Sequence, residues 1–314
     1  MERPCAVICP ADWSGALGND SSTGVLIKPI PRPDLQTLEP ATQGTAQLLR
    51  ELGLLDGVDT AVLVLPLQYA QSEYSTLWPQ PVLQWVEDGE GGAVGTTRMV
   101  ILSTVFADCP AACLEALALR PSEEGLSRWN VTAQYAPAYI DTLLAWQAAG
   151  ANSFHPGDYF KADLIAAMGH WSGHWVYVGH AEVDRLRGYQ HILASDLRGI
   201  SKRDLLDSTW WLSCNTLAFK AGVQPLGLTW YLSGATRLFL GAVAPTDTLQ
   251  NQHFCKLFLH AILQMKASNN AHTLAEVLRR IFSNTEWSSA EMECVNSHPF
   301  NLNYRLLGNP WVAV

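Results

Sequence analysis

Two segments of this chain end in side chains that could work together as a nucleophile and its base: Trp175-Val-Tyr-Val-Gly-His180 and Trp210-Trp-Leu-Ser-Cys214. Cysteine attacks a carbonyl carbon as thiolate, and an isolated thiol titrates at about 8.5, so a neighbouring imidazole is what would make Cys214 reactive near neutral pH. Each residue closes a short apolar run of the kind that forms a strand buried in a parallel sheet. In open α/β sheets, reactive side chains emerge just past the carboxyl ends of such strands. If the two strands are neighbours, thiol and imidazole share one edge. His170 and His174 stand four apart, a spacing that would put both on one helix face and suit zinc, but Gly169 and Gly173 predict that the helix ends there, and no metal site is expected. His155, beside Pro156-Gly157, reads as a loop residue.

The elements that must hold this pair are legible as alternating runs. Strands are predicted at residues 6–9, 60–67, 98–104, 175–179, 210–213 and 237–243, and helices at 41–54, 136–149, 159–168, 247–264 and 273–282, where apolar residues recur every three or four positions. Such alternation predicts an α/β fold with a largely parallel sheet. Residues 11–40 and 87–95 read as loops from their Pro, Gly and Asp content. A softer division falls near 121–130, with a more irregular N-terminal part before it. The chain holds 12 tryptophans, several of them flanking the two key strands, and core packing accounts for them without a carbohydrate or base platform.

Bulk properties narrow the function. A chain of 314 residues that is 48% hydrophobic can bury a sizeable core, and its net charge of −9, with Lys and Arg scattered, argues against binding nucleic acid or an anionic membrane. No apolar run approaches the roughly 20 residues that span a bilayer, and no secretion signal is evident, so a cytoplasmic location is expected. Seven cysteines, an odd number, make a disulfide framework an unattractive reading. The pairs Cys5/Cys9 and Cys109/Cys113 share a Cys-x3-Cys spacing, but Cys5 and Cys9 lie in a strand-like run and read as buried thiols rather than zinc ligands. No phosphate-binding glycine motif follows a strand, and no cofactor is expected.

In order and surroundings these residues resemble clan CD cysteine peptidases, and among them the CHAT group related to caspases, separases and gingipains. The resemblance runs from about residue 136 to the C-terminus. It rests on a helix at Asp163 to Gly169, on Val176-Tyr-Val-Gly-His180-Ala, and on Trp211-Leu-Ser-Cys214-Asn-Thr, with His180 and Cys214 separated by 214 − 180 = 34 residues. Downstream it continues through Leu228-Thr-Trp-Tyr-Leu-Ser-Gly-Ala and the strand-like run to Val243, then Pro245-Thr-Asp247, His298-Pro-Phe, and Tyr304-Arg-Leu-Leu-Gly-Asn-Pro310. It implies a caspase-like, mostly parallel sheet flanked by helices on both faces. Residues 131–314 would be the protease domain, and residues 1–130 an N-terminal lobe, either a degenerate caspase-like half or a regulatory region.

The resemblance also implies roles. Cys214 would be the nucleophile, His180 the general base and acid, and the backbone amides of Ala181 and Cys214 the oxyanion hole. The family usually has glycine after the histidine. Ala181 keeps the amide but suits the role only if the backbone there needs no left-handed geometry. Relatives that prefer a basic P1 residue need an acid in the pocket, and Asp158, Asp163, Glu182, Asp184 and Asp207 are the candidates near the dyad; an apolar pocket lined by Trp175, Trp211 or Trp230 is the alternative. The expected function is a regulated cysteine endopeptidase that cleaves a specific protein partner in a bacterial regulatory or antiviral defence pathway, with a regulatory protein partner. The competing readings are an inactive caspase-like scaffold that binds a protein ligand, and a metal-dependent hydrolase built on His170, His174, His180 or His191.

Overall fold

The computed structural model describes residues 5–18, 25–30, 49, 52–70, 82–88, 96–118, 126–198, 200, 205–267, 272–283, 300 and 303–313. Most of the helix expected over 41–54, loop residues 89–95, residues 121–125 of the predicted division, and His298 lie outside them. The chain divides into two units, residues 1–118 with 306–310, and residues 119–305 with 311–314.

The first unit holds β1 (Cys5–Pro10), β2 (Val25–Ile30), β3 (Thr60–Leu65), β4 (Leu83–Asp88) and β5 (Thr96–Phe106). Strands β2, β1, β3 and β5 pair side by side in parallel, and β4 is antiparallel to β5. This region is therefore more regular than its sequence suggested. The strand β2 corrects the loop expected across 11–40: Val25-Leu-Ile pairs with β1, and Pro29, which cannot donate to a ladder, is tolerated because β2 is the edge strand.

The second unit contains β6 (Trp129–Ala133), β7 (Asn152–Phe154), β8 (His174–Val178), β12 (Leu206–Leu212) and β13 (Thr236–Ala242). They lie parallel in the order β13-β12-β8-β6-β7. Between β8 and β12 the chain forms a small antiparallel sheet of β9 (Ala181–Glu182), β10 (Arg185–Leu186) and β11 (Ile192–Leu193). The last strand, β14 (Tyr304–Gly308), begins in this unit and passes into the first at Leu306.

Aromatic side chains alternate across this sheet because strand residues point to opposite faces in turn. On one face Trp129 and Trp210 meet Phe258 of the helix Thr248–Lys266, and Trp146 of the helix Pro137–Ala148 packs on Trp129. On the other, Trp175 and Trp211 pack on Trp230 of the helix Leu226–Leu232, and Trp211 also meets Phe239. Helices thus cover both faces, as expected.

The strand β6 has no counterpart in the sequence reading. Its buried Asn130 and Thr132 break the apolar pattern, yet both are satisfied by the neighbouring strand: Asn130 Nδ2 donates to the carbonyls of Ser172 (3.0 Å) and His174 (3.1 Å), and Thr132 Oγ1 donates to that of Val176 (3.1 Å).

His174 lies in the same layer. Its ring stacks on Trp129 with centroids 4.1 Å apart, and its Nδ1 pairs with Ser208 Oγ at 2.8 Å. Burial, with Arg128 and Lys266 adding to it, lowers its pKa from 6.5 to about 3, so the folded protein holds the ring neutral. The unfolded chain takes up a proton below about pH 6.5 that the folded ring refuses, so folding stability falls as pH drops from there toward 3. We predict that denaturant titrations show a loss attributable to this site of about 2 kcal/mol between pH 7 and pH 5. The same comparison in His174→Gln should lack that component.

Candidate active site

The strands β8 and β12 are adjacent and parallel, with Trp211 paired to Tyr177 and Leu212 to Val178. Two residues beyond that last pair come Cys214 and His180. Equal steps from paired positions on neighbouring strands bring them out at the same carboxyl edge, about one strand spacing apart. His180 is exposed and Cys214 half-buried, so solvent reaches both while the strands behind them are sealed. Tyr139 joins the pair: its ring meets the His180 imidazole edge-on at 5.7 Å. Burial raises the pKa of its phenol, partly offset by a hydrogen bond with Thr248, and the nearby Cys214 and Asp247 charges push the same way as burial.

His180 is fixed through its backbone. Its N–H donates to Gln134 Oε1 at 2.7 Å, and its carbonyl accepts from the Tyr177 hydroxyl and from the Arg187 N–H, both at 2.9 Å. The Tyr177 hydroxyl also accepts from the Gly188 N–H at 3.0 Å, and burial pushes the phenol far above its ordinary pKa, so it stays a donor. Gly179 is required by space: a Cβ there would lie 2.6 Å from Tyr177 Oη and 2.7 Å from Gln134 Cβ.

Cys214 is followed by Asn215 at φ 57°, a left-handed turn that asparagine tolerates and that bends the chain off the strand. The Asn215 N–H donates to the Ala244 carbonyl at 3.2 Å. The Cys214 sulfur accepts the Thr246 N–H at 3.3 Å and lies 3.5 Å from both the Thr246 hydroxyl and its carbonyl. Cys9, Cys113 and Cys255 are a contrast: all are buried, and burial pushes their thiols up to about 11, 12 and 12.

Ala181 opens β9 and is absent from the non-glycine residues with positive φ, which among the described residues are Tyr189, Gln190, His191 and Asn215. Alanine therefore sits there without strain. The acidic candidates are scattered. Asp163 accepts the Phe160 N–H at 3.3 Å and caps a helix. Glu182 binds Arg185 and Arg187 at 2.9 and 2.6 Å, and chiefly the Arg187 hydrogen bond holds its carboxyl below the usual range. Asp184 lies 3.4 Å from Arg185, while Asp158 is exposed, 3.9 Å from His155. Asp207 pairs with Arg128 at 2.7 Å near the start of β12, about 20 Å along the strand from Cys214, and so cannot sit in a pocket beside it. The tryptophan pocket also fails: Trp175 and Trp211 are 0% exposed and Trp230 is 2%, all consumed by the core. Sequence reasoning missed Gln134, Tyr139, Tyr177 and Thr246. Only the position of Thr246, shortly after the strand predicted at 237–243, hinted at its role.

The metal reading has no geometry behind it. His174 is in the core, and no cluster of three or more His, Cys, Asp or Glu side chains suited to a metal occurs among the described residues. Nor is any helix there long and apolar enough to cross a membrane.

The sequence profile of peptidase family C25 matches residues 69–314. Among solved structures, the Arg specific cysteine proteinase gingipain R superposes with a TM-score of 0.70 at 10% identity, covering 100% of this chain and 78% of that one. The complex of Porphyromonas gingivalis RgpB pro- and mature domains gives 0.67 at 10% identity, covering 99% and 79%. A third structure, of a protease, gives 0.62 at 11%, covering 99% and 78%. No curated protein matches. At these identities the structures establish the fold, an α/β mostly parallel sheet of caspase-like type, and the family match carries the chemistry. The match is to family C25 and carries no assignment to the CHAT group.

The clamp on His180 gives a direct test. Tyr177→Phe removes the donor to the His180 carbonyl and leaves the Gly188 N–H without its partner. It should cost about 1–3 kcal/mol in denaturant titrations and lower turnover more than KM.

Proposed function

Because this chain belongs to peptidase family C25 and is therefore a cysteine peptidase, we propose that Cys214 is its nucleophile and His180 its acid–base partner. The observation that carries the reading is the pairing of Leu212 with Val178, from which both residues follow by two steps. In the proposed reaction the imidazole takes the thiol proton as Sγ attacks the scissile carbonyl carbon. The amides of Ala181 and Cys214 donate to the oxyanion that forms. The imidazolium then passes its proton to the departing amine nitrogen as the C–N bond breaks, leaving a thioester. Water, giving up a proton to the same imidazole, attacks that thioester and releases the acid and the thiol.

The inactive-scaffold reading drew its support from Ala181, and the ordinary backbone found there removes that support. A basic P1 preference, such as the arginine specificity in the name of gingipain R, would here fall to Asp158. It lies beyond the carboxyl end of β7 and, unlike the other four candidates, neither caps a helix nor pairs with an arginine. We extend the proposal to a regulated endopeptidase acting on a specific protein partner in a bacterial regulatory or defence pathway, with residues 1–130 as the regulatory lobe. Two observations favour this: a relative of this fold is seen complexed with its pro-domain, and the described cysteines are free thiols, which suits a reducing cytoplasm.

Cleavage of a peptide library tests the dyad. Cys214→Ala and His180→Ala should each lower kcat/KM by about 10³-fold or more, whereas activity equal to wild type in Cys214→Ala would overturn the assignment.

A further inference from the structure

Three groups around the Cys214 sulfur have no role in the dyad. Thr246 offers its backbone N–H at 3.3 Å and its hydroxyl at 3.5 Å. The hydroxyl oxygen already accepts from Asn251 Nδ2 at 2.7 Å, and Asn251 Oδ1 accepts from the Tyr304 hydroxyl at 2.6 Å. Asn251 sits in the first turn of the helix Thr248–Lys266 and Tyr304 opens β14, and at 3% and 4% exposure both are closed to competing water. The direction of the chain follows from its ends. The buried Tyr304 phenol, its pKa pushed far up by burial, must donate and finds Asn251 Oδ1. That leaves the Asn251 amide N–H groups for Thr246. A thiolate can only accept, so beside it the Thr246 hydroxyl turns its own proton to the sulfur while its oxygen takes the Asn251 N–H, and the Tyr304 hydroxyl hydrogen-bonds Thr246 as well. A thiol at this position donates to the Thr246 carbonyl at 3.5 Å. A thiolate instead receives two donors from the same residue.

We propose that Tyr304, Asn251 and Thr246 form a hydrogen-bonded relay of positioning residues that holds Cys214 at the edge of the sheet and stabilises its sulfur as thiolate. The inference rests on Cys214 being the nucleophile, and it assigns part of the activation to groups on the side away from His180. Donors aimed at a charged sulfur favour the charged form, and charge-assisted bonds of this kind are about twice as strong as neutral ones.

The test reads the sulfur directly. Alkylation by iodoacetamide is followed across pH, and the adduct is quantified on the Cys214 peptide by mass spectrometry, so that exposed Cys109 does not contribute. In Thr246→Val the rate at neutral pH should fall about tenfold and the pH profile should move up by about one unit. Thr246→Ser should restore both, and Tyr304→Phe should move them in the same direction as Thr246→Val but less. Turnover should fall with alkylation while KM holds. Melting curves identify which variants are folded, and Thr246→Ser and Tyr304→Phe remain informative if Thr246→Val is not. An unchanged profile in folded Thr246→Val, or in folded Tyr304→Phe, overturns the relay, as does a serine variant as slow as the valine one. None of the overturning outcomes depends on peptide cleavage, so the relay can fail while the dyad stands, and loss of the dyad would show separately in Cys214→Ala.

Discussion

The parallel register between β8 and β12 is the constraint on which everything at the site depends. A slip of one residue would turn every side chain of a strand to the opposite face, burying what must be exposed and exposing tryptophan. The core guards against such a slip. Trp175 and Trp211 belong to the layer under Trp230, whereas His174, Ser208 and Trp210 belong to the layer under Phe258, and Ser208 Oγ binds both the His174 ring and the Trp210 indole, each at 2.8 Å. The chemistry at the edge is thus set by packing well behind it.

Four consecutive strands of this unit, β13, β12, β8 and β6, deliver in turn Thr246, Cys214, His180 and Gln134. Hydrogen bonds at the edge follow the same order: Thr246 to the sulfur on one side, and the His180 amide to Gln134 on the other. Cys214 and His180, the proposed reactive pair, stand in the middle, each held from its outer neighbour. Placement also separates Cys214 from the thiols of Cys9, Cys113 and Cys255, which burial keeps protonated and closed to substrate.

Much of this was legible in the sequence, and the failures have specific causes. The carboxyl-terminal parts of the strands before His180 and Cys214 are unbroken apolar runs, so their type and carboxyl ends could be read directly, whereas the start of β12 could not, because Asp207, Ser208 and Thr209 interrupt its pattern. The strand β6 could not, because Asn130 and Thr132 look like loop residues until the carbonyls of the next strand are placed beside them. With β6 went Gln134, whose contact with His180 spans 46 positions. Asn251 and Tyr304 are similarly joined across 53 positions, a contact that no local pattern encodes. The acidic candidates were chosen for nearness in sequence, and strand direction separates what sequence groups: Asp207 precedes Cys214 by a few residues but lies toward the other end of β12. Ala181 is the converse case, where a departure from the usual glycine falls on backbone that alanine adopts without strain.

The most direct test of the dyad is the site of covalent capture by a substrate-shaped electrophile. A peptidyl acyloxymethyl ketone reacts only where a thiolate and a proton donor face one carbonyl, so its adduct, located by mass spectrometry of the intact and digested chain, reports both residues together. A single adduct on Cys214 that forms far more slowly in His180→Ala is the predicted result. Adducts that favour the exposed Cys109, or a Cys214 adduct that forms equally fast without His180, would contradict it.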